Sequence, residues 1–260
     1  MENRLRLRIL GALTMAAALA FAPGAAIPAD AAPRPMAYTC SGGEIPSGAY
    51  ASLTVTGDCS VAPDAAIHVL GNIMVAAGAT LDAQSFPSTI TVGHNVIGNA
   101  GSMVELGCQS PADTGNTAHP CANDPEGHSV ITVHGNVAIT GAAFVALNGI
   151  TVKGNVTVRG GGPNGYWSIK NNTIGRNLKV GGMTVEWIGI MFNKIGRNAI
   201  LTRITVNDEH PGAPGVYIVQ NMVGRNLICT RLVPGVSGGF GGLPNVVGHK
   251  ALGQCTALVG

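Results

Sequence analysis

Asn172-Thr-Ile-Gly-Arg-Asn177, Asn193-Lys-Ile-Gly-Arg-Asn198 and Asn221-Met-Val-Gly-Arg-Asn226 are three copies of one hexapeptide. A weaker fourth copy, Asn245-Val-Val-Gly-His-Lys250, stands near the C-terminus. Shorter marks lie upstream at Gly71-Asn72, Gly135-Asn136 and Gly154-Asn155, with Gly93-His94-Asn95 as a variant. The closing residues, at 72, 95, 136, 155, 177, 198, 226 and 250, are 23, 41, 19, 22, 21, 28 and 24 apart. Self-similarity at a fixed period means that one unit cannot bury its own apolar face and must stack on its neighbours. The interval of 41 reads as two periods, with one mark lost between Gly101 and His128. The interval of 28 holds Asn207–Gly215, whose Pro211, Gly212, Pro214 and Gly215 read as a surface loop.

Between the marks the chain is rich in Val, Ile, Thr and Gly, with period-two runs such as Ile131-Thr-Val-His134. No stretch of ten or more residues after the N-terminal leader has a helical pattern. A leucine-rich repeat of similar period needs a regular Leu pattern, which is lacking. Aligned on the first Asn of each hexapeptide, Ile169, Ile190 and Ile218 stand three residues before it. Trp167, Ile188 and Val216 stand five before, and Ile174, Ile195 and Val223 two after. Alternation puts these on one face of short strands, where like residues stack into apolar ladders. The Gly-Arg-Asn steps read as corners whose Asn amides hydrogen-bond from repeat to repeat. The expected architecture is all-β: a single-stranded right-handed parallel β-helix (β-solenoid) of about nine coils of roughly 22 residues, its hand taken from the general crossover rule.

Arg4, Arg6 and Arg8 precede an apolar run from Ile9 to Ala22, and small residues follow at Ala29-Asp-Ala31. This pattern reads as a secretory signal peptide over 1–31, followed by a short disordered lead-in over 32–37 and a single domain over 38–260. The apolar run is shorter than the ~20 residues a span requires, so no stable membrane span is expected after cleavage. All six cysteines lie in the mature chain. Sequence alone allows 15 pairings. Neighbour pairing is the economical choice: Cys40–Cys59 and Cys229–Cys255 about one coil apart, pinning both ends, and Cys108–Cys121 closing a loop. His119 and His128 near Cys121 suggest zinc, but no CxxC occurs, and an even count in an exported chain favours disulfides. No metal or cofactor is expected.

Charge divides the chain. Between Pro35 and Val152 there is no Lys or Arg, but there are eight acids: Glu44, Asp58, Asp64, Asp82, Glu105, Asp113, Asp124 and Glu126. From Lys153 onward eleven Lys and Arg face three acids, Glu186, Asp208 and Glu209, a surplus of eight positive charges. Stacked corners would place Arg176, Arg197 and Arg225 in a row, with His249 at the fourth position and Lys179 and Lys194 extending it. These six residues are the candidate anion-binding set. Arg suits the task because its planar fork grips an oxyanion through two hydrogen bonds.

The chain resembles a group of secreted β-solenoid (parallel β-helix) proteins of high-GC Gram-positive bacteria, the actinobacteria. The resemblance rests on Thr39-Cys-Ser-Gly-Gly43 closing at Gly57-Asp-Cys59, and on repeats such as Lys153-Gly-Asn-Val-Thr157. It also rests on the ending Gly224-Arg-Asn-Leu-Ile-Cys229 with Gly248-His-Lys-Ala-Leu-Gly-Gln-Cys255. It implies a parallel β-helix and export, and no catalytic residues. Where such proteins commonly read Gly-Gly-Asn, this chain has Gly-Arg-Asn three times.

The expected function is that of a secreted, non-catalytic envelope or extracellular module whose basic half engages an anionic envelope polysaccharide. A polysaccharide-active lyase or hydrolase is the second reading. It needs grouped carboxylates, and the evident acid clusters, Asp124-Pro-Glu126-Gly-His128 and Asp208-Glu209-His210, sit in loop-like sequence. Aromatics make up 4 % of the chain, too few for an obvious sugar-stacking groove. Tyr166 and Trp187, each six residues before the repeat Asn, could form one exposed platform, but core or rim packing is the preferred reading. Self-association end to end outside the cell is a third reading. Nucleic acid is not an expected partner, because the basic half has no interleaved aromatics.

Overall fold

The computed structural model describes residues 34–163, 165–207, 214–239 and 244–259. The signal-peptide reading over 1–31, most of the Asn207–Gly215 loop and the Asp208-Glu209-His210 cluster lie outside them. The described chain is all-β, as its Val, Ile and Thr alternation requires. Each repeat feeds three short strands. Between Asn193 and Asn221 these are Lys194–Ile195, Ala199–Val206 and Val216–Val219. The first two join one sheet and the third joins another. The expected single-stranded β-helix is therefore corrected: the strands form two parallel sheets, one of 18 strands and one of 9. The marks recur once per repeat, so counting them could not reveal how each repeat divides its strands between sheets.

Register is strict. Val152, Ile174, Ile195, Val223 and Val247 pair in succession on one side of the corner. Val156, Leu178, Ala199, Leu227 and Ala251 pair on the other. In the second sheet Leu147, Ile169, Ile190 and Ile218 are partners. All three apolar ladders foreseen from the hexapeptide alignment are buried in one continuous core, with Trp167 its largest fully buried side chain. Burying such a side chain contributes about 1.5–3 kcal/mol.

Two Asn ladders run beside the core. Asn172, Asn193, Asn221 and Asn245 are buried, and the amides of the first three each donate to the Oδ1 of the next at 2.9–3.0 Å. The closing Asn residues form a second, more exposed ladder from Asn72 through Asn95, Asn136, Asn155, Asn177 and Asn198 to Asn226. Asn136 donates directly to Asn95, and Val92 pairs with Val133. The interval of 41 is therefore one step and not two periods. Its extra length is an excursion between Leu106 and Val130, with a short helix at Pro111–Thr114 capped by Ser110 and closed by Cys108–Cys121.

The three disulfides are Cys40–Cys59, Cys108–Cys121 and Cys229–Cys255, with Cα separations of 6.3, 4.8 and 5.2 Å. The neighbour pairing holds. Met36 and Ala37, assigned from sequence to the lead-in, already belong to the strand Met36–Cys40, in which Met36 pairs with Tyr50. At the other end the Gln254 side chain accepts from Leu232 N and donates to Leu232 O, each at 2.8 Å, standing in for a further strand. Among the described residues no helix is long and apolar enough to cross a membrane.

Candidate functional site

The corner between the two strands of the large sheet is built from the two residues ahead of each closing residue, Asn in seven repeats and Lys250 in the last. At the first position stand Leu70, Gly93, His134, Lys153, Gly175, Gly196, Gly224 and Gly248; at the second, Gly71, His94, Gly135, Gly154, Arg176, Arg197, Arg225 and His249. The second position is tied repeat to repeat by main-chain bonds. Arg197 N donates to Arg176 O, Arg225 N to Arg197 O and His249 N to Arg225 O, each at 2.9 Å. The sequence expectation of stacked corners is met for these four residues, all exposed. Their spacing is that of neighbouring strands, about 5 Å.

Each corner holds at least one Gly because the preceding repeat comes too close. A Cβ at Gly196 would lie 2.4 Å from Gly175 O, and one at Gly154 would lie 2.3 Å from Gly135 O. The other position is free to carry a side chain. From His94 onward that side chain is always basic: His94, His134, Lys153, Arg176, Arg197, Arg225 and His249. Basic side chains therefore continue along this corner edge into the acidic half at His94 and His134, although Gly135 and Gly154 stand between His94 and Arg176 in the second-position stack. Sequence reading missed this because the Gly alternates between the two positions, which hides the match.

Lys179 and Lys194 do not join the column. Lys194 lies on the strand before the corner, in register with Thr173 and Met222. Lys179 lies on the strand after it, between Thr157 and Ile200. They flank the arginines on opposite sides. With Arg176 and Arg225 one repeat away on either side, Arg197 sits among like charges. Arg197→Gln is expected to raise stability by a few tenths of a kcal/mol at low ionic strength. The gain should vanish near 1 M salt, where screening is nearly complete, as chemical denaturation at both salt levels would reveal.

A second cluster lies on the outer face of the second sheet, where strand register sets Asp82 beside Glu105. Asp82 Oδ1 accepts from Gln84 N and Ser85 N at 2.9 and 3.0 Å, and Gln84 Nε2 donates to Glu105 Oε2. The excursion closes over them. His119 Nε2 lies 3.1 Å from Gln84 Oε1, Lys170 Nζ donates to Ala118 O and Asn171 Nδ2 donates to Thr117 O, both at 2.7 Å. Burial, then the Asp82 charge, pushes Glu105 up to about 7. Burial, then the Lys170 cation, lowers His119, and burial lowers Lys170. The adjacency was invisible in sequence because Asp82 and Glu105 are 23 residues apart and share no motif.

The folded state thus holds the Glu105 proton more tightly than the unfolded chain does. Its contribution is fully present below about pH 4.5 and is lost as pH rises through about 7. Glu105→Gln, which cannot ionise, is expected to exceed wild type in stability at pH 8 by up to ~2 kcal/mol, and to match it near pH 4. Urea unfolding at the two pH values checks this.

Tyr166, Trp187 and Tyr217 form an aromatic row on the same outer face, with ring centroids 6.1 and 5.2 Å apart. Asp124 and Glu126 are exposed, and His128 lies 3.4 Å from Asp113, also exposed. Among the described residues no group of His, Cys, Asp and Glu is arranged to hold a metal ion. Compared with family models, curated proteins and solved structures, the chain matches none of them.

Proposed function

We propose that the protein is a secreted, non-catalytic envelope or extracellular module that holds an anionic polysaccharide along its basic corner column. The observation that carries the reading is the in-register stack of Arg176, Arg197 and Arg225, prolonged by His249. Like charges on adjacent strands repel, so a folding role alone would not favour three in succession. A polymer with regularly spaced phosphates or carboxylates offsets that repulsion and receives a forked hydrogen bond from each guanidinium. Export is supported by the Arg-rich and apolar leader and by three disulfides. The test is co-sedimentation with insoluble anionic and neutral wall polymers, for wild type and for Arg176→Gln/Arg197→Gln/Arg225→Gln. Retention on the anionic polymer alone, lost in the triple variant, is expected. Equal retention of the two proteins ends the proposal.

The alternative of a polysaccharide-active enzyme has one observation in its favour: Glu105, poised near 7 beside Asp82, suits a general acid or base. Polymer cleavage abolished by both Glu105→Gln and Asp82→Asn would establish that reading in place of the first.

A further inference from the structure

The corner column is one margin of the strands Val156–Arg159, Leu178–Val185, Ala199–Val206 and Leu227–Val233. Four residues after the start of each strand the chain passes through the left-handed region, and register aligns Gly160, Gly182, Arg203 and Arg231 there. Gly160 and Gly182 have φ of 65° and 71°, conformations natural for glycine. Arg203 and Arg231 hold φ of 53° and 56°, which is costly for a residue with a Cβ and a long side chain. Non-glycine residues kept in such conformations cluster at functional sites.

Beside Arg203 lies a notch of about 230 Å³, walled by Arg159, Lys179 and Arg203 and floored by Gly160, Gly181 and Gly182. Three consecutive repeats each supply one cation. The row Arg159–Gly181–Thr202 has no side chain at its middle, because the Thr202 backbone carbonyl lies where a Gly181 Cβ would stand. Thr202 Oγ1 accepts from Thr230 Oγ1 at 3.1 Å, which leaves its own proton to donate elsewhere. None of the three cations has an ion-pair partner among the described residues.

We propose that this notch binds one tetrahedral oxyanion, a phosphate or sulfate monoester carried as a pendant group on a sugar. The proposal rests on the reading of the protein as an anionic-polysaccharide binder and names the pendant group that binder selects. Three cations lining one notch without an acid, a hydroxyl donor and a glycine floor suit a compact, highly charged group. A neutral sugar gains no ionic contact from them. The corner column engages charge along a polymer; the notch engages one group at a time.

The experiment is titration of the full mature protein with glucose 6-phosphate, glucose 6-sulfate and glucose by isothermal calorimetry at low ionic strength. Wild type is expected to bind one or both esters and not glucose, the ester preferred telling phosphate from sulfate. Arg203→Gly is expected to weaken binding at least tenfold while the melting midpoint stays level or rises, because glycine fits the left-handed position. Arg159→Gln, at an ordinary backbone position, should weaken binding similarly. Wild-type binding of glucose equal to the esters, or Arg203→Gly and Arg159→Gln titrating like wild type, overturns the proposal. If wild type is retained by anionic polymer but binds neither ester, the notch proposal alone falls. If it does neither, the polymer reading falls as well.

Discussion

Replacing Asn193 by Ala is expected to lower the free energy of unfolding by roughly 4 kcal/mol. Asn193 is fully buried, and its amide is the hinge of four hydrogen bonds. Its Nδ2 donates to Ile169 O at 2.8 Å and to Asn221 Oδ1 at 2.9 Å. Its Oδ1 accepts from Asn172 N and from Asn172 Nδ2, both at 3.0 Å. Alanine cuts all four and leaves buried partners that water cannot reach, at about 1 kcal/mol for each lost bond. Asn198 belongs to the more exposed ladder, and solvent can replace its bonds. Asn198→Ala should therefore cost only about 1 kcal/mol. Equilibrium denaturation of both variants decides the matter: similar small losses would show that the buried ladder is not what locks successive repeats together.

The hexapeptide made much of this legible. Ile169, Ile174 and Trp167 could be placed in the core because they recur at fixed distances from Asn172, and burial follows the repeat. The Arg corners were legible for the same reason. What failed had local causes. Strands such as Lys194–Ile195 and Met222–Val223 are two residues long, too short for alternation to declare them, so the division into two sheets could not be read. The interval ending at Asn136 was misjudged because a lost mark and an inserted excursion look alike when only marks are counted. The strand pairing of Val92 with Val133 separates the two cases. Lys179 and Lys194 were grouped with the arginines by closeness in sequence, but one follows the corner and the other precedes it. Register, which no single repeat contains, is what brings Glu105 beside Asp82 and sets Arg159 and Arg203 on one notch.

Removing the three corner charges should have the largest effect on function. Each guanidinium on a polymer anion at an exposed edge contributes about 0.5–1 kcal/mol at low salt, so together they amount to some 1.5–3 kcal/mol. That corresponds to an affinity loss of roughly 10- to 100-fold. Such contacts are screened over about 10 Å at 0.1 M salt and about 3 Å at 1 M, so the loss must shrink as salt is added. A phosphate-bearing or carboxylate-bearing wall polymer, titrated over that range against wild type and Arg176→Gln/Arg197→Gln/Arg225→Gln, is the decisive comparison. Wild-type affinity should fall steeply with salt, the variant should be weak throughout, and the two curves should converge at the high-salt end. Wild-type binding indifferent to salt, or two superimposable curves at low salt, would contradict the claim that the stacked corner arginines hold the polymer.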